Sequence, residues 1–356
     1  MRRGRYQFIQ EHGDIVVGAA DSGPNSHVVL RTSGPGPPSA LPVSLGCVTR
    51  LRAVAVRIWR PDWPCDPHDV LRPLRRGGGD PSLIFRPGGV VWKSAITPDG
   101  PAALRIAPRA SAGDVVLEAW GSGAGWMLDQ APRLLGEDDD VTEFASSFPR
   151  VRAAWARNPH WRVTRSGLVL EALVAAVIEQ KVTGKEAWFG WRQLLHRFGE
   201  PAPGPAAAGG LRCMPDASTL AHIPSWDWLR CSIDGARSKA IVGASRVAAG
   251  LERTLGLEPA DVEAALRSVP GVGVWTAAEV RQRAHGDADA VSFGDYHVAA
   301  HIGWAITGAE IDDDQLADLL QCERPHRYRV QHIVTTRLHG RPRHGPRMAP
   351  RSHLPV

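Results

Sequence analysis

Residues 269–297 read VPGVGVWTAAEVRQRAHGDADAVSFGDYH. A Pro-Gly-Val-Gly turn stands directly before a helical stretch, and a carboxylate, Asp295, follows later between Gly294 and Tyr296. Gly271 and Gly273 permit backbone angles closed to other residues, and their missing side chains let a phosphate come close to the main chain. The first amides of the following helix lack internal partners and sit at its positive end, which suits an anion. A helix–hairpin–helix of this form holds one nucleic-acid phosphate without reading sequence. The same residues also make an ordinary helix–helix turn. Asp295 stands just before the apolar stripe Val298, Ile302, Ala305 and Ile306, a position suited to an N-cap. Capping alone would account for it, but the connector GDADAVSFG returns the chain toward the hairpin. A carboxylate beside a bound phosphate makes sense where positive charge develops during a reaction.

Two kinds of element must carry these residues. Residues 19–46 are rich in Gly, Pro and Ser, so residues 1–47 are expected to be a flexible extension. From Val48 to about residue 122, short β-favouring runs separated by tight turns (VTRLRAVAVRIW, LIFRPGGVVWKSAI, GDVVLEAWG) predict a small sheet. GWMLDQAPRLLG (125–136) predicts one helix interrupted by Pro132. After about residue 150 the strand signals nearly vanish. A long alanine-rich helical stretch, 168–198, should break around Thr183-Gly184, Asp216 should cap a short helix, and GARSKAIVGASRVAAGLERTL should form another. Val262, Ala265, Leu266 and Val269 make the stripe of a helix that stops at Pro270. Val330, Ile333, Val334 and Leu338 make the last stripe, and 341–356 form a basic, proline-rich tail. The expected fold class is α+β: a β-rich domain over 48–150, then an all-α domain over 151–340.

Bulk composition narrows the chemistry. The chain has 356 residues, a formal net charge of +5 and a pI near 9.2, which favours a polyanionic partner. Its only lysines are Lys93, Lys181, Lys185 and Lys239. The five cysteines are scattered with no C-x-x-C spacing, which argues against zinc and iron–sulfur sites and for a reduced, cytoplasmic setting. Residues 1–20 lack the apolar core of a signal peptide, and no apolar run approaches a membrane span. The expectation is a soluble, monomeric protein.

PGVGVWTA with the distal GD resembles the helix–hairpin–helix DNA glycosylase superfamily, and the Trp in VWTA resembles its 3-methyladenine DNA glycosylase II branch. AAVIEQKVT and GARSKA are similar to two further helices of that family, so the resemblance spans roughly residues 168–338. It implies that Asp295 is catalytic. Breaking a base–sugar bond builds oxocarbenium-like charge on the deoxyribose, which a carboxylate stabilises. The resemblance also implies that the damaged base rotates out of duplex DNA into a pocket, with Trp275 as an aromatic wall, Tyr296 beside it, and Glu279 in the place of a pocket aromatic.

By the same resemblance, Gly271, Val272, Gly273 and Thr276 contact DNA. Carbonyls near Val269 and Val272 would hold a monovalent cation, and Gln180-Lys181 would fill the gap left by the flipped base. Glu279, four residues after Trp275, either faces the pocket or pairs with Arg283 at the surface. Glycosylases that also cut the backbone use a lysine where this chain has Trp275, and the iron–sulfur branch has four late cysteines where this chain has Cys322, so a monofunctional hydrolase of nucleoid DNA without a cofactor is implied. The competing readings are a non-catalytic helix–hairpin–helix DNA-binding protein and a glycosylase for deaminated or oxidised bases.

Overall fold

The computed structural model describes residues 55–338. The expected extension over 1–47, the start of the β-rich part and the basic tail lie outside these residues. Five strands, β1 (Ala55–Trp59), β2 (Leu83–Phe85), β3 (Val91–Thr97), β4 (Gly100–Arg109) and β5 (Asp114–Gly121), form an antiparallel sheet in the order β1-β5-β4-β3-β2. Thr97 pairs with Gly100 across the two-residue turn between β3 and β4, and Gly100 takes a φ of +107°, open to glycine alone without strain. Arg109 closes the next turn with a fork on Asp114 at 2.7 and 2.6 Å.

After α1 (Pro67–Leu71), the next helix, α2 (Ala124–Leu134), covers one face of the sheet. There Val91, Leu104, Ile106 and Leu117 meet Met127, Leu128 and Leu134. On the other face Trp92 and Trp120 stack at 5.3 Å, in a cluster with Ala202, Ala206 and Leu211 from the helical half. Pro132 does not interrupt α2. The carbonyl four residues back, which a proline cannot pair, is Leu128 O, and Arg57 donates to it at 3.1 Å.

The helical half comprises α3 (Pro149–Ala156), α4 (Val169–Ile178), α5 (Gly184–Phe198), α6 (Ala217–His222), α7 (Ser225–Arg230), α8 (Gly235–Arg246), α9 (Ala248–Glu252), α10 (Pro259–Arg267), α11 (Val274–Val280), α12 (Val298–Thr307), α13 (Asp313–Leu319) and α14 (Arg327–Arg337). α4 is buried at every position but Glu171, as a helix that is apolar all round must be. It forms the centre of a core with α5, α8, α10 and α11. A second cluster joins α12, α13 and α14 through Val298, Ile302, Leu316, Val330, Ile333 and Val334.

Thr183 and Glu186 form a capping box at the start of α5, so the break in the long stretch falls where Thr183-Gly184 placed it. Asp216 caps α6 by accepting from the Thr219 amide at 2.7 Å. The helix expected over 235–255 instead bends at Val247 (φ −113°, ψ 17°). The bend carries Glu252 to the head of α4, where its carboxylate accepts from the Val169 and Leu170 amides at 3.0 and 2.9 Å. Those two amides would otherwise lack partners. α13, which no apolar stripe announced, is fixed by an Asp312–Gln315 capping box. Among the described residues no helix is long and apolar enough to cross a membrane.

Candidate active site

α10 and α11 are joined by a tight turn in which the Val272 amide donates to Val269 O at 3.0 Å, with both valine side chains buried. Its two glycines differ. Gly271 has a φ of +89°, and a Cβ there would lie 2.8 Å from the Ala240 Cβ of α8, so the fold itself demands glycine. Gly273 has a φ of −95° and open space around it, so neither packing nor backbone angle demands one. Gln180, just past α4, donates through Nε2 to Gly271 O at 2.9 Å and to Thr276 Oγ1 at 2.8 Å. Thr276 is buried, so Gln180 and Thr276 hold the hairpin to the central helix rather than standing free at its surface. Lys181, the next residue, is exposed and adopts a φ of 54°, in the left-handed region uncommon for side-chain-bearing residues.

Asp295 is brought beside α11. Its Oδ1 accepts from the His297 and Val298 amides at 2.7 and 3.1 Å, so it holds the turn leading into α12, whose N-cap is His297 and not the expected Asp295. Its Oδ2 accepts from Trp275 Nε1 at 3.2 Å. One oxygen is therefore structural, and the other is turned to the indole of the hairpin helix on a part-exposed carboxylate. The turn that presents it is held by Gly294 (φ +84°), whose amide donates to Asp313 Oδ2 at 2.7 Å. Tyr296 is 91% exposed, edge-on to the His297 ring at 4.8 Å, and so forms no wall of an enclosed pocket in this conformation.

Glu279 lies one turn after Trp275 and pairs with Arg283 at 2.7 Å, but in the interior, since only 7% of it is exposed. Its second oxygen accepts from Ser292 Oγ at 2.7 Å. Both oxygens are thus committed, which corrects the expectation of a pocket-facing carboxylate and equally that of a surface pair. Ser292 is the hub of this network. Its hydroxyl also accepts from Gln282 Nε2 at 2.8 Å and Gln331 Nε2 at 2.9 Å, and its amide donates to Gln331 Oε1 at 3.0 Å. Its carbonyl accepts from the Asp295 amide at 3.2 Å. The network therefore ties the aspartate's turn to α11 and α14. Nothing in the sequence around Ser292, Gln282 or Gln331 marks them, because their partners meet only in the fold.

Between the sheet and α4 lies a narrow cavity of about 20 Å³, room for a water molecule. Arg76, Lys93, Glu171, Trp191 and Arg283 line it. Lys93 is ion-paired with Glu171 at 2.7 Å and buried, whereas Lys181, Lys185 and Lys239 are exposed. Burial pushes the thiols of Cys65 and Cys213 up to about 12, so neither is a thiolate near neutrality.

No protein-family model matches the chain, and no curated protein matches it. Solved structures do. A 3-methyladenine DNA-glycosylase from Archaeoglobus fulgidus superposes with a TM-score of 0.65 at 16% identity, over 78% of this chain and 97% of that one. The 8-oxoguanine glycosylase/lyase of Clostridium acetobutylicum, in its apo form, gives 0.61 at 12% identity, over 80% and 95%. The same enzyme in complex with double-stranded DNA gives 0.61 at 13% identity, over 80% and 94%. The shared feature at these identities is the fold.

Proposed function

Starting from the fold shared with the helix–hairpin–helix DNA glycosylases, we propose that the protein is a DNA glycosylase. It hydrolyses the N-glycosidic bond of alkylated purines of the 3-methyladenine type in duplex DNA, leaves the strand intact and so opens base excision repair. The observation that carries this reading is Asp295. Its Oδ1 is held by two backbone amides while its Oδ2 is turned toward Trp275 beside the glycine hairpin.

In this reading the hairpin grips a phosphate of the damaged strand through the open backbone at Gly273 and the leading amides of α11. The Val269 and Val272 carbonyls have oxygen-donor chemistry that suits a hard monovalent cation. Such an ion, when bound, would supply positive charge at the turn. The lesion rotates out of the stack toward Trp275, whose indole face attracts a cationic base, while exposed Lys181 occupies the gap. As the base departs, Asp295 Oδ2 stabilises the positive charge on the sugar or directs a water to the anomeric carbon. An alkylated purine already carries charge and needs little protonation. The indole at position 275 offers no amine for an imine intermediate, which supports hydrolysis without strand cleavage.

Incubation of the protein with methylated duplex DNA should release free 3-methyladenine, leave alkali-sensitive abasic sites and give no adduct trapped by borohydride. Binding without release would make the protein a DNA-binding module. Release only of oxidised or deaminated bases would change the lesion class, and a trapped adduct would overturn the monofunctional reading.

A further inference from the structure

A second glycine-rich segment, Arg75-Arg76-Gly77-Gly78-Gly79-Asp80, belongs to the sheet-bearing half yet reaches the surface that carries Lys181. Arg76 pairs at 3.5 Å with Glu179, the residue directly before Gln180. The loop is closed on itself by Asp80, whose carboxylate accepts from the Arg76 amide at 2.7 Å, the Ser82 amide at 2.9 Å and Trp191 Nε1 at 3.0 Å. Its glycines lie along the outer side of α5. A Cβ on Gly77 (φ +79°) would sit 2.7 Å from the Trp188 ring, and one on Gly79 would sit 3.2 Å from Arg192 Cδ. Gly78 is exposed, has open space around it and has no left-handed φ. Nothing in the fold demands glycine there, as nothing demands it at Gly273.

The neighbouring Glu179 is paired with Arg76, and the segment that follows it exposes only basic charge. Between Lys181 and Gly199 the chain carries Lys181, Lys185, Arg192 and Arg197, and its one acid, Glu186, is buried in the capping box of α5. Trp188 is 37% exposed within this strip. Within α5, Lys185 and Arg192 lie seven residues, two helical turns and about 10 Å apart at the helical rise per residue, and so share a face. A cationic, acid-free strip with bare backbone beside it fits the backbone of a nucleic-acid strand.

We propose that the loop 76–80 and the outer face of α5 form a second DNA-backbone contact, continuous with the hairpin through Glu179 and Gln180. This contact rests on the reading of the protein as a DNA-acting enzyme. It holds the strand at a point away from the reacting sugar, so it contributes to affinity and not to the chemical step. The missing side chain at Gly78 lets a phosphate meet loop amides, while Lys185 and Arg192, the latter packed against Gly79, supply the charge.

The test uses the full chain and a lesion-free duplex across a range of salt. Gly78→Asp should weaken binding about tenfold or more, Lys185→Ala should lower the slope of log affinity against log salt by about one, and single-turnover excision at saturating enzyme should stay within twofold. Arg60→Ala, an exposed arginine just past β1 and beside Asp114, is the control and should change neither. Gly273→Asp reports on the hairpin in the same assay. If wild type binds no DNA, the functional reading itself fails. If Gly273→Asp weakens binding while Gly78→Asp and Lys185→Ala match wild type, the second contact alone is overturned.

Discussion

Asp295 and Glu279 both lie against the hairpin helix, and the chain treats them oppositely. Asp295 is part-exposed and has one oxygen that meets only the Trp275 indole. Glu279 is enclosed, with one oxygen on Arg283 and the other on Ser292. Two carboxylates a few residues' reach apart therefore divide the work. Under the proposed function the part-exposed one suits chemistry, and the enclosed one is tied to that residue's turn through Ser292, whose carbonyl takes the Asp295 amide. What distinguishes the two is exposure and not the number of partners: Asp295 accepts three hydrogen bonds yet is part-exposed, whereas Glu279 has two partners and is 7% exposed.

The sharpest way to break this comparison is Asp295→Asn. The amide keeps an oxygen for the His297 and Val298 amides but does not offset sugar charge, so excision should fall by about 10²–10³-fold while duplex affinity and melting temperature stay close to wild type. Near-normal release of the base would place the chemistry elsewhere.

Glu279→Gln comes next and should fail differently. Removing one member of a buried ion pair leaves Arg283 uncompensated, a loss of about 3–5 kcal/mol, read as a lower denaturation midpoint. Activity should fall equally on charged lesions such as 7-methylguanine and on neutral hypoxanthine, because the carboxylate touches the aspartate's turn and not the base. A loss confined to charged lesions would return Glu279 to the pocket.

How much of this was legible in the sequence follows from which interactions are local. The hairpin turn and the break at Thr183-Gly184 are set by residues a few positions apart, and their spacing announced them. The direction of Glu279 was not legible, because it depends on Ser292 and Gln331, which arrive from a loop and from α14. Pro132 misled for the same reason: its freed carbonyl is taken by Arg57 from a strand 71 residues earlier than Leu128. Local chemistry fixed the elements, while long-range polar pairing fixed which side chains remain free.

Acid should loosen the positioning side of the comparison. His332 adjoins Gln331 on α14 and stacks on Trp161 at 3.8 Å. Burial, reinforced by Arg337 and neighbouring arginines, pushes it down to about 3, and burial likewise pushes His285 down to about 4. Unfolded histidines titrate near 6.5, so between that pH and about 4 the unfolded chain binds protons that the folded chain does not. Stability is complete above about pH 6.5 and is lost as pH falls, by about 1.4 kcal/mol per pH unit for each such group. Denaturant titrations between pH 6 and 4.5 should show this slope, and His332→Gln should reduce it by about one proton. An unchanged slope in that variant would mean that His332 is charged in the folded protein.

The smallest effect belongs to Tyr296, which tests whether adjacency to Asp295 is enough for a part in the chemistry. Its ring is almost wholly in solvent and touches only His297 edge-on, so Tyr296→Ala should change folding stability by less than about 0.5 kcal/mol. If the ring lies against DNA, its removal should weaken duplex affinity about threefold, the scale of one exposed aromatic contact, while the single-turnover excision rate stays within twofold. A rate loss approaching that of Asp295→Asn would show that the ring folds over the flipped base during the reaction. The reacting group would then have a second aromatic partner besides Trp275, supplied by motion of the turn that Gly294 and Asp313 hold in the resting protein.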